Sequence, residues 1–306
     1  MSTDPTSARE PSREDLTFSV DGEECAAWLY RPASSDRPAH ADGPVPCVVM
    51  AQGFSLTRHN GLDAYARRFA AAGLAVLVFD YRHLGDSEGT PRQRFRVRSQ
   101  TADLRAAIAT ARSLDGIDPE RIALWGYSFG GGHSAREAAI DQRIAAVVLL
   151  CPFLDGRWRL LKTLRTSLLT ALRLVPLGLL DWLGRRTLVP VTGPPGSLAA
   201  MPFPGEAEGF AAAVDPTTPW RNEISPGILV TIGLFRPVNR AAKVRCPVWL
   251  GLGERDISVD AAAIERFAQR TPQGTLQRYD LDHFEALLGA EVAADQTDWL
   301  VGVLRS

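Results

Sequence analysis

The sequence predicts an α/β fold, a mostly parallel sheet with helices on both faces. Three observations carry that prediction. Strand-length apolar runs alternate with helix-length segments along most of the chain, and the runs are continuously apolar, as strands buried on both faces must be. A serine stands between two glycines where one such run meets a helix, in Gly126-Tyr127-Ser128-Phe129-Gly130. With 306 residues, 45% of them hydrophobic, the chain can bury one large core as a single domain.

The elements follow in order. Residues 16–20 and 24–31 are strand-like and flank Asp21-Gly22, a strong two-residue hairpin signal, so the chain opens with an antiparallel pair. Beyond a Pro- and Ser-rich connection, residues 45–51 form a buried strand, 62–72 a helix and 74–79 another apolar strand. The alternation continues with a helix over 98–114, a strand over 122–125, a helix over 129–140 and a strand over 144–151. After a long interruption it resumes with strands over 248–252 and 276–281, a helix over 261–269 and a helix near the C-terminus. Parallel connections of this kind are right-handed crossovers.

Three regions result. Residues 1–15 are polar, lack the apolar stretch of a secretory signal and read as a disordered leader; 16–151 and 245–306 form the core; 152–244 form an inserted lid. The lid opens with a helical stretch over 158–185 and continues through Pro- and Gly-rich segments. Leu160, Leu161, Leu164, Leu168, Leu169, Leu172, Val175 and Leu179 follow helical spacing, and the stripe either packs on the core or lines an acyl pocket. Lys162, Arg165, Arg173 and Arg185 interrupt it too often for a membrane span.

Charge excludes other classes. The 34 basic residues, 32 of them Arg, are balanced by 35 acidic ones, so the net charge of −1 points to neither nucleic acid nor a membrane surface. Cys25, Cys47, Cys151 and Cys246 are scattered singly, which suits free thiols in a reducing cytoplasm. There is no dinucleotide fingerprint and no His/Cys ligand cluster, so no cofactor and no metal are expected.

The serine motif is a weak pattern alone, but its context is that of a nucleophile elbow: an apolar strand before Ser128, a small-residue helix start after it, and glycine where strand and helix must approach. A serine hydroxyl needs a histidine base and an acid that fixes the imidazole tautomer. Five histidines are available. His40 lies in a polar connection, His59 in a loop before a helix, and His133 on the elbow helix, pointing elsewhere. His283 follows the last strand, where a loop would return it to Ser128; His83, after the 74–79 strand, is the second candidate. Asp256 follows the 248–252 strand in the chain order nucleophile, acid, base, with Glu254 the alternative carboxylate. Asp282 is too near His283 to be the acid but could support its loop. The oxyanion donors expected are the backbone N–H groups of Phe129, at the helix N-terminus, and Phe54, after Gly53; an ordinary strand-end turn is the other reading of Gln52-Gly53-Phe54.

With these residues placed, Ala51-Gln-Gly-Phe-Ser-Leu-Thr-Arg58, Phe79-Asp-Tyr-Arg-His-Leu-Gly-Asp-Ser-Glu-Gly89 and Leu124-Trp-Gly-Tyr-Ser-Phe-Gly-Gly-Gly-His133 are similar to segments of the α/β-hydrolase superfamily. They resemble lid-bearing bacterial members of the serine aminopeptidase-like and polyketide-transferase-like kind. The resemblance implies the α/β-hydrolase fold with an eight-stranded sheet and a Ser128, Asp256, His283 triad. Gln52 departs from the pattern, since many relatives place histidine there. The expected activity is a serine hydrolase acting on a carboxylic ester, lactone or thioester with a hydrophobic portion. An acyltransferase or C–C bond hydrolase using the same triad, and a noncatalytic binding protein that kept the fold, are the alternatives. The expected partner is a small hydrophobic acyl or ester substrate; the oligomeric state, a homodimer included, is left open.

Overall fold

The computed structural model describes residues 11–33, 43–166 and 168–305. One eight-stranded sheet runs through them in the spatial order β1-β2-β4-β3-β5-β6-β7-β8. Its strands are β1 (Ser12–Val20), β2 (Glu23–Arg31), β3 (Val45–Ala51), β4 (Ala75–Phe79), β5 (Ile117–Tyr127), β6 (Ile144–Leu150), β7 (Val248–Gly253) and β8 (Gly274–Tyr279). The first two form the expected antiparallel hairpin, and Asp21 and Gly22 turn it with φ of 53° and 86°, both in the left-handed region. β2 is antiparallel to β4, and from β4 to β8 every pairing is parallel. β3, β4 and β7 are buried along their whole length, as their unbroken apolar sequences require.

The helices of the core are α1 (Leu62–Ala71), α2 (Val97–Ser113), α3 (Ser128–Ala138), α8 (Ala261–Arg270), α9 (His283–Leu288) and α10 (Ala290–Arg305). Contacts pair α1 with α10, and α2 with α3. Between β6 and β7 lie α4 (Gly156–Thr166), α5 (Leu168–Trp182), α6 (Glu206–Ala213), the short α7 (Gly227–Thr231) and two 3-10 turns, Ile232–Leu234 and Pro237–Lys243. Among the described residues no helix is long and apolar enough to cross a membrane.

Three expectations need correction. The leader placed over residues 1–15 runs into a strand, because Ser12 to Asp15 pair with β2; residues 1–10 lie outside the described residues, as does His40. The last strand starts two residues earlier than expected and ends at Tyr279. The single helical stretch over 158–185 is two helices, and the residues of its leucine stripe are all exposed in part; Leu160 and Val175 also border a cavity, whereas Leu161, Leu164, Leu168, Leu169, Leu172 and Leu179 do not line it.

Candidate active site

The site is built at the carboxyl ends of the central strands. β5 passes into α3 through Ser128, whose φ of 52° is a strained value for a non-glycine residue. The strain is held by close packing. A Cβ on Gly130 would stand 2.1 Å from the Ala51 carbonyl oxygen, and one on Gly126 2.6 Å from that of Gly130, so neither position admits a side chain. The Ser128 carbonyl accepts a hydrogen bond from Phe153 N–H (2.7 Å), tying the turn to the chain beyond β6. At the first turn of α3, backbone N–H groups have no partner within the helix.

His283 reaches the same place from the far edge of the sheet. It is the first residue of α9, and the preceding Asp282 closes a capping box: its carboxylate accepts from the N–H groups of Phe284 and Glu285 (both 2.8 Å), while Glu285 accepts from Asp282 N–H at 2.8 Å. Arg255 braces this turn through Glu285 (2.6 Å) and Asp280 (3.0 Å). Tyr127 packs its ring on the imidazole and donates its hydroxyl to the His283 carbonyl at 3.1 Å.

His283 Nε2 lies 3.0 Å from Ser128 Oγ, and His283 Nδ1 lies 2.6 Å from Asp256 Oδ2. A carboxylate can only accept, so the proton sits on Nδ1 and Nε2 is left to accept from the serine hydroxyl. The Asp256 side chain is fully buried; its other oxygen accepts from Ser258 N–H (2.7 Å) and Val259 N–H (3.3 Å). This is a hydroxyl whose proton can pass to an oriented imidazole as the oxygen attacks an electrophile. The structure therefore brings Ser128, His283 and Asp256 together and leaves the alternatives out. Glu254 is exposed and faces Arg278 at 3.8 Å. His83 belongs to its own loop: its backbone N–H donates to Glu88 O (2.6 Å), its backbone carbonyl accepts from Gln93 N–H (2.9 Å), and its ring packs against Gly89. His59 pairs with Asp86. His133 is buried against Gln100, and burial pushes its pKa down to about 3.

Phe54 and Phe129 flank Ser128 with ring centroids 5.8 Å apart, and both border the cavity into which Ser128 opens. Gly53 makes the turn possible, because a Cβ there would meet the Tyr127 ring at 2.9 Å. The loop carrying Phe54 is anchored by Asp80 at the end of β4. That buried carboxylate accepts from Arg58 N–H (2.7 Å) and from the Arg58 guanidinium on one side, and from Asp86 N–H (3.1 Å) on the other. Burial pushes the Asp80 pKa up, and Arg58 opposes the shift.

The cavity is a narrow slot of about 80 Å³ with mainly apolar walls, given by Phe153, Leu174, Val175 and Met201 among others. Its polar edge was not foreseen from sequence. Arg159 on α4 and Ser258 border it, and both bind Glu206 of α6: Arg159 at 2.9 and 3.3 Å, Ser258 Oγ at 3.1 Å. Hydrogen bonds thus run from Arg159 through Glu206 and Ser258 to Asp256. Cys151, at φ 43°, is a second unforeseen neighbour; its sulfur and the ligand atoms of Asp256 and His283 lie within 4.8 Å of one another. Burial, then the Asp256 charge, hold its thiol pKa far above the usual range, so it stays a weak S–H donor. The only sequence signal for Cys151 was its place at the end of an apolar strand.

Comparison with known proteins agrees with this architecture. Residues 44–284 match the family described as serine aminopeptidase, S33. The quorum-quenching protein AidA of Acinetobacter baumannii is 37% identical over 94% of this chain and 93% of its own length. The thiohydrolase aneE of Aspergillus aculeatus is 37% identical over 48% of this chain and 45% of its own. The solved structure of DcsB in complex with its substrate analogue superposes with a TM-score of 0.75 at 25% identity, covering 96% of this chain and 98% of that one.

Proposed function

The chain belongs to the serine aminopeptidase S33 family of α/β hydrolases, and from that premise we propose that it cleaves a carboxylic ester, lactone or thioester through an acyl-enzyme on Ser128. The observation that carries this reading is the hydrogen-bonded line from Ser128 Oγ to His283 Nε2 (3.0 Å) and from His283 Nδ1 to Asp256 (2.6 Å). His283 takes the hydroxyl proton as Ser128 attacks the carbonyl, then returns it to the leaving alcohol or thiol. Asp256 holds the tautomer and stabilises the imidazolium. The backbone N–H groups of Phe54 and Phe129 receive the oxyanion, the second aided by the dipole of α3. Water then repeats the sequence in reverse and frees the acid.

Residues 152–244 act as the lid. Their contribution of Leu160, Leu174, Val175 and Met201 to the cavity favours an apolar acyl or alcohol portion. At about 80 Å³ the slot is small beside the roughly 300–1,000 Å³ of common ligand sites, so a larger substrate would extend beyond it. One observation favours acyl transfer as a second reading: Ser128 and His283 are 7% and 4% exposed, and a dry acyl-enzyme survives long enough to meet an alcohol or amine acceptor.

The test is intact-protein mass after treatment with a fluorophosphonate, with hydrolysis of p-nitrophenyl esters of increasing chain length. The wild type should gain one label and turn over, and Ser128→Ala should do neither. An unlabelled wild type would move the reading to a noncatalytic binding protein. Labelling without hydrolysis, relieved by an added alcohol or amine, would favour transfer.

A further inference from the structure

A second cavity, of about 610 Å³, lies among the start of α2, α3, the end of α5 and the segment from Thr231 to Arg240. Six arginines border it: Arg94, Arg96, Arg98, Arg136, Arg236 and Arg240. Two carboxylates answer them. Asp181 pairs with Arg96, and Asp155 holds Arg236 through two contacts of 2.9 Å. Among the described residues, Arg94, Arg98 and Arg240 have no carboxylate within ion-pair distance; Arg136 reaches only the Thr101 hydroxyl, at 3.5 Å, with Glu137 nearby but engaged by Arg105. In a chain of net charge −1 this is a local concentration of positive charge. Its strain is visible at Arg136, whose pKa is lowered by burial and then by the nearby Arg240.

Several arginines bordering one cavity without counter-charge suit phosphate, which accepts the paired N–H groups of a guanidinium in a fork. The volume exceeds what one phosphate needs and falls in the range of small-molecule sites. The indole of Trp182, 51% exposed at one end, gives an apolar wall for an organic portion. We infer that this cavity binds a small molecule carrying two or more phosphate groups.

The cavity is one layer from the Ser128 slot. Leu229 and Ile232 face the slot, whereas Thr231 and Leu234 of the same segment face the arginines. Phe235 borders the arginine cavity and lies 5.0 Å, ring to ring, from Phe129 of the slot. Two sources of the phosphates fit this placement: the carrier portion of a thioester substrate, or a free phosphorylated ligand. The first rests on the acyl-enzyme reading of Ser128; the binding itself does not.

The test is calorimetric titration of the full chain with inorganic pyrophosphate, coenzyme A and sulfate. Pyrophosphate and coenzyme A should bind more tightly than sulfate. An Arg98→Glu, Arg240→Glu double variant of unchanged thermal stability should lose roughly tenfold or more in affinity for both, whereas Arg270→Glu, on exposed α8 surface, should lose nothing. Kinetics then separate the sources. If the double variant loses kcat/KM toward hexanoyl-coenzyme A but not toward p-nitrophenyl hexanoate, the phosphates belong to the substrate. If both rates stand while pyrophosphate binding is lost, they belong to a free ligand. Pyrophosphate binding no tighter than sulfate, or unchanged in the double variant, overturns the inference. So does binding of phosphatidylglycerol vesicles without pyrophosphate binding, which would assign the arginines and the exposed leucines of α5 to a bilayer surface.

Discussion

Replacing Glu206 by glutamine tests whether the buried pair at the cavity edge holds the lid to the acid loop. The side chains of Arg159 and Glu206 are 9% and 1% exposed, so solvent screens their attraction little. Glu206 also accepts from Ser258 Oγ (3.1 Å) and Phe203 N–H (3.1 Å), and Arg159 lies over the Phe203 ring at 4.4 Å. In Glu206→Gln one oxygen of this four-contact carboxylate becomes a donor facing the guanidinium, and a cation is left buried without its counter-charge. Breaking a pair of this burial costs roughly 3–5 kcal/mol. The total stability of a domain is about 5–15 kcal/mol, so urea unfolding followed by tryptophan fluorescence reads the change directly. Removing both charges, in Arg159→Met with Glu206→Gln, should recover most of the loss, because no cation is left buried and the amide oxygen still accepts from a neighbouring donor, Ser258 Oγ or Phe203 N–H. Glu206→Gln within about 0.5 kcal/mol of wild type would refute the reasoning, placing it among ordinary surface changes. A double variant as unstable as the single would refute it too, showing that shape and not charge is at stake.

Three further outcomes are expected. Gly130→Ala places a methyl 2.1 Å from the Ala51 carbonyl, so it should cost more than the usual 1–3 kcal/mol of an overpacked site and abolish fluorophosphonate labelling; full labelling would show that the elbow can yield. His133 is held neutral with its pKa down at about 3 against about 6.5 in an unfolded chain, so its contribution is complete above pH 6.5 and is lost as the pH falls toward 3. The difference in unfolding free energy between wild type and His133→Gln should therefore shrink on acidification, by up to about 1.4 kcal/mol per pH unit; Asp103, pushed up to about 6, acts in the opposite sense but is common to both proteins. Asp80→Asn removes the buried one of the two carboxylates that pair with Arg58, leaving only the partly exposed Asp86 (2.9 Å), beneath the loop that carries Phe54; kcat on p-nitrophenyl butyrate should fall with KM little changed, whereas an equal rise in KM would place the loop in substrate binding instead.

Much of the architecture was legible because burial writes itself into local sequence. β3, β4 and β7 are unbroken apolar runs, and Asp21-Gly22 announces the one tight hairpin by its chemistry. The elements that escaped are those whose side chains face water. β1 begins at Ser12 although its first four residues are exposed, because pairing with β2 and the contacts of Arg13 with Trp28 and Glu14 with Arg31 hold it. β8 is an edge strand with mostly exposed side chains, so nothing periodic marks its start at Gly274.

The sequence alone determined which residue types could do the chemistry: a glycine-flanked serine after an apolar strand, then an aspartate and a histidine at later strand ends. Those constraints are local, since a strained turn and its glycines must be adjacent in the chain. Only the tertiary structure decided which carboxylate and which histidine meet Ser128, because 155 positions separate Ser128 from His283 and no local pattern encodes that distance. It likewise decided that Arg159 and Glu206, 47 positions apart, neutralise each other beside the slot. And it gathered six arginines from three separate stretches around one cavity, where a net charge of −1 had given no hint of any local excess. Composition sums charge over the whole chain, whereas folding chooses where it is concentrated.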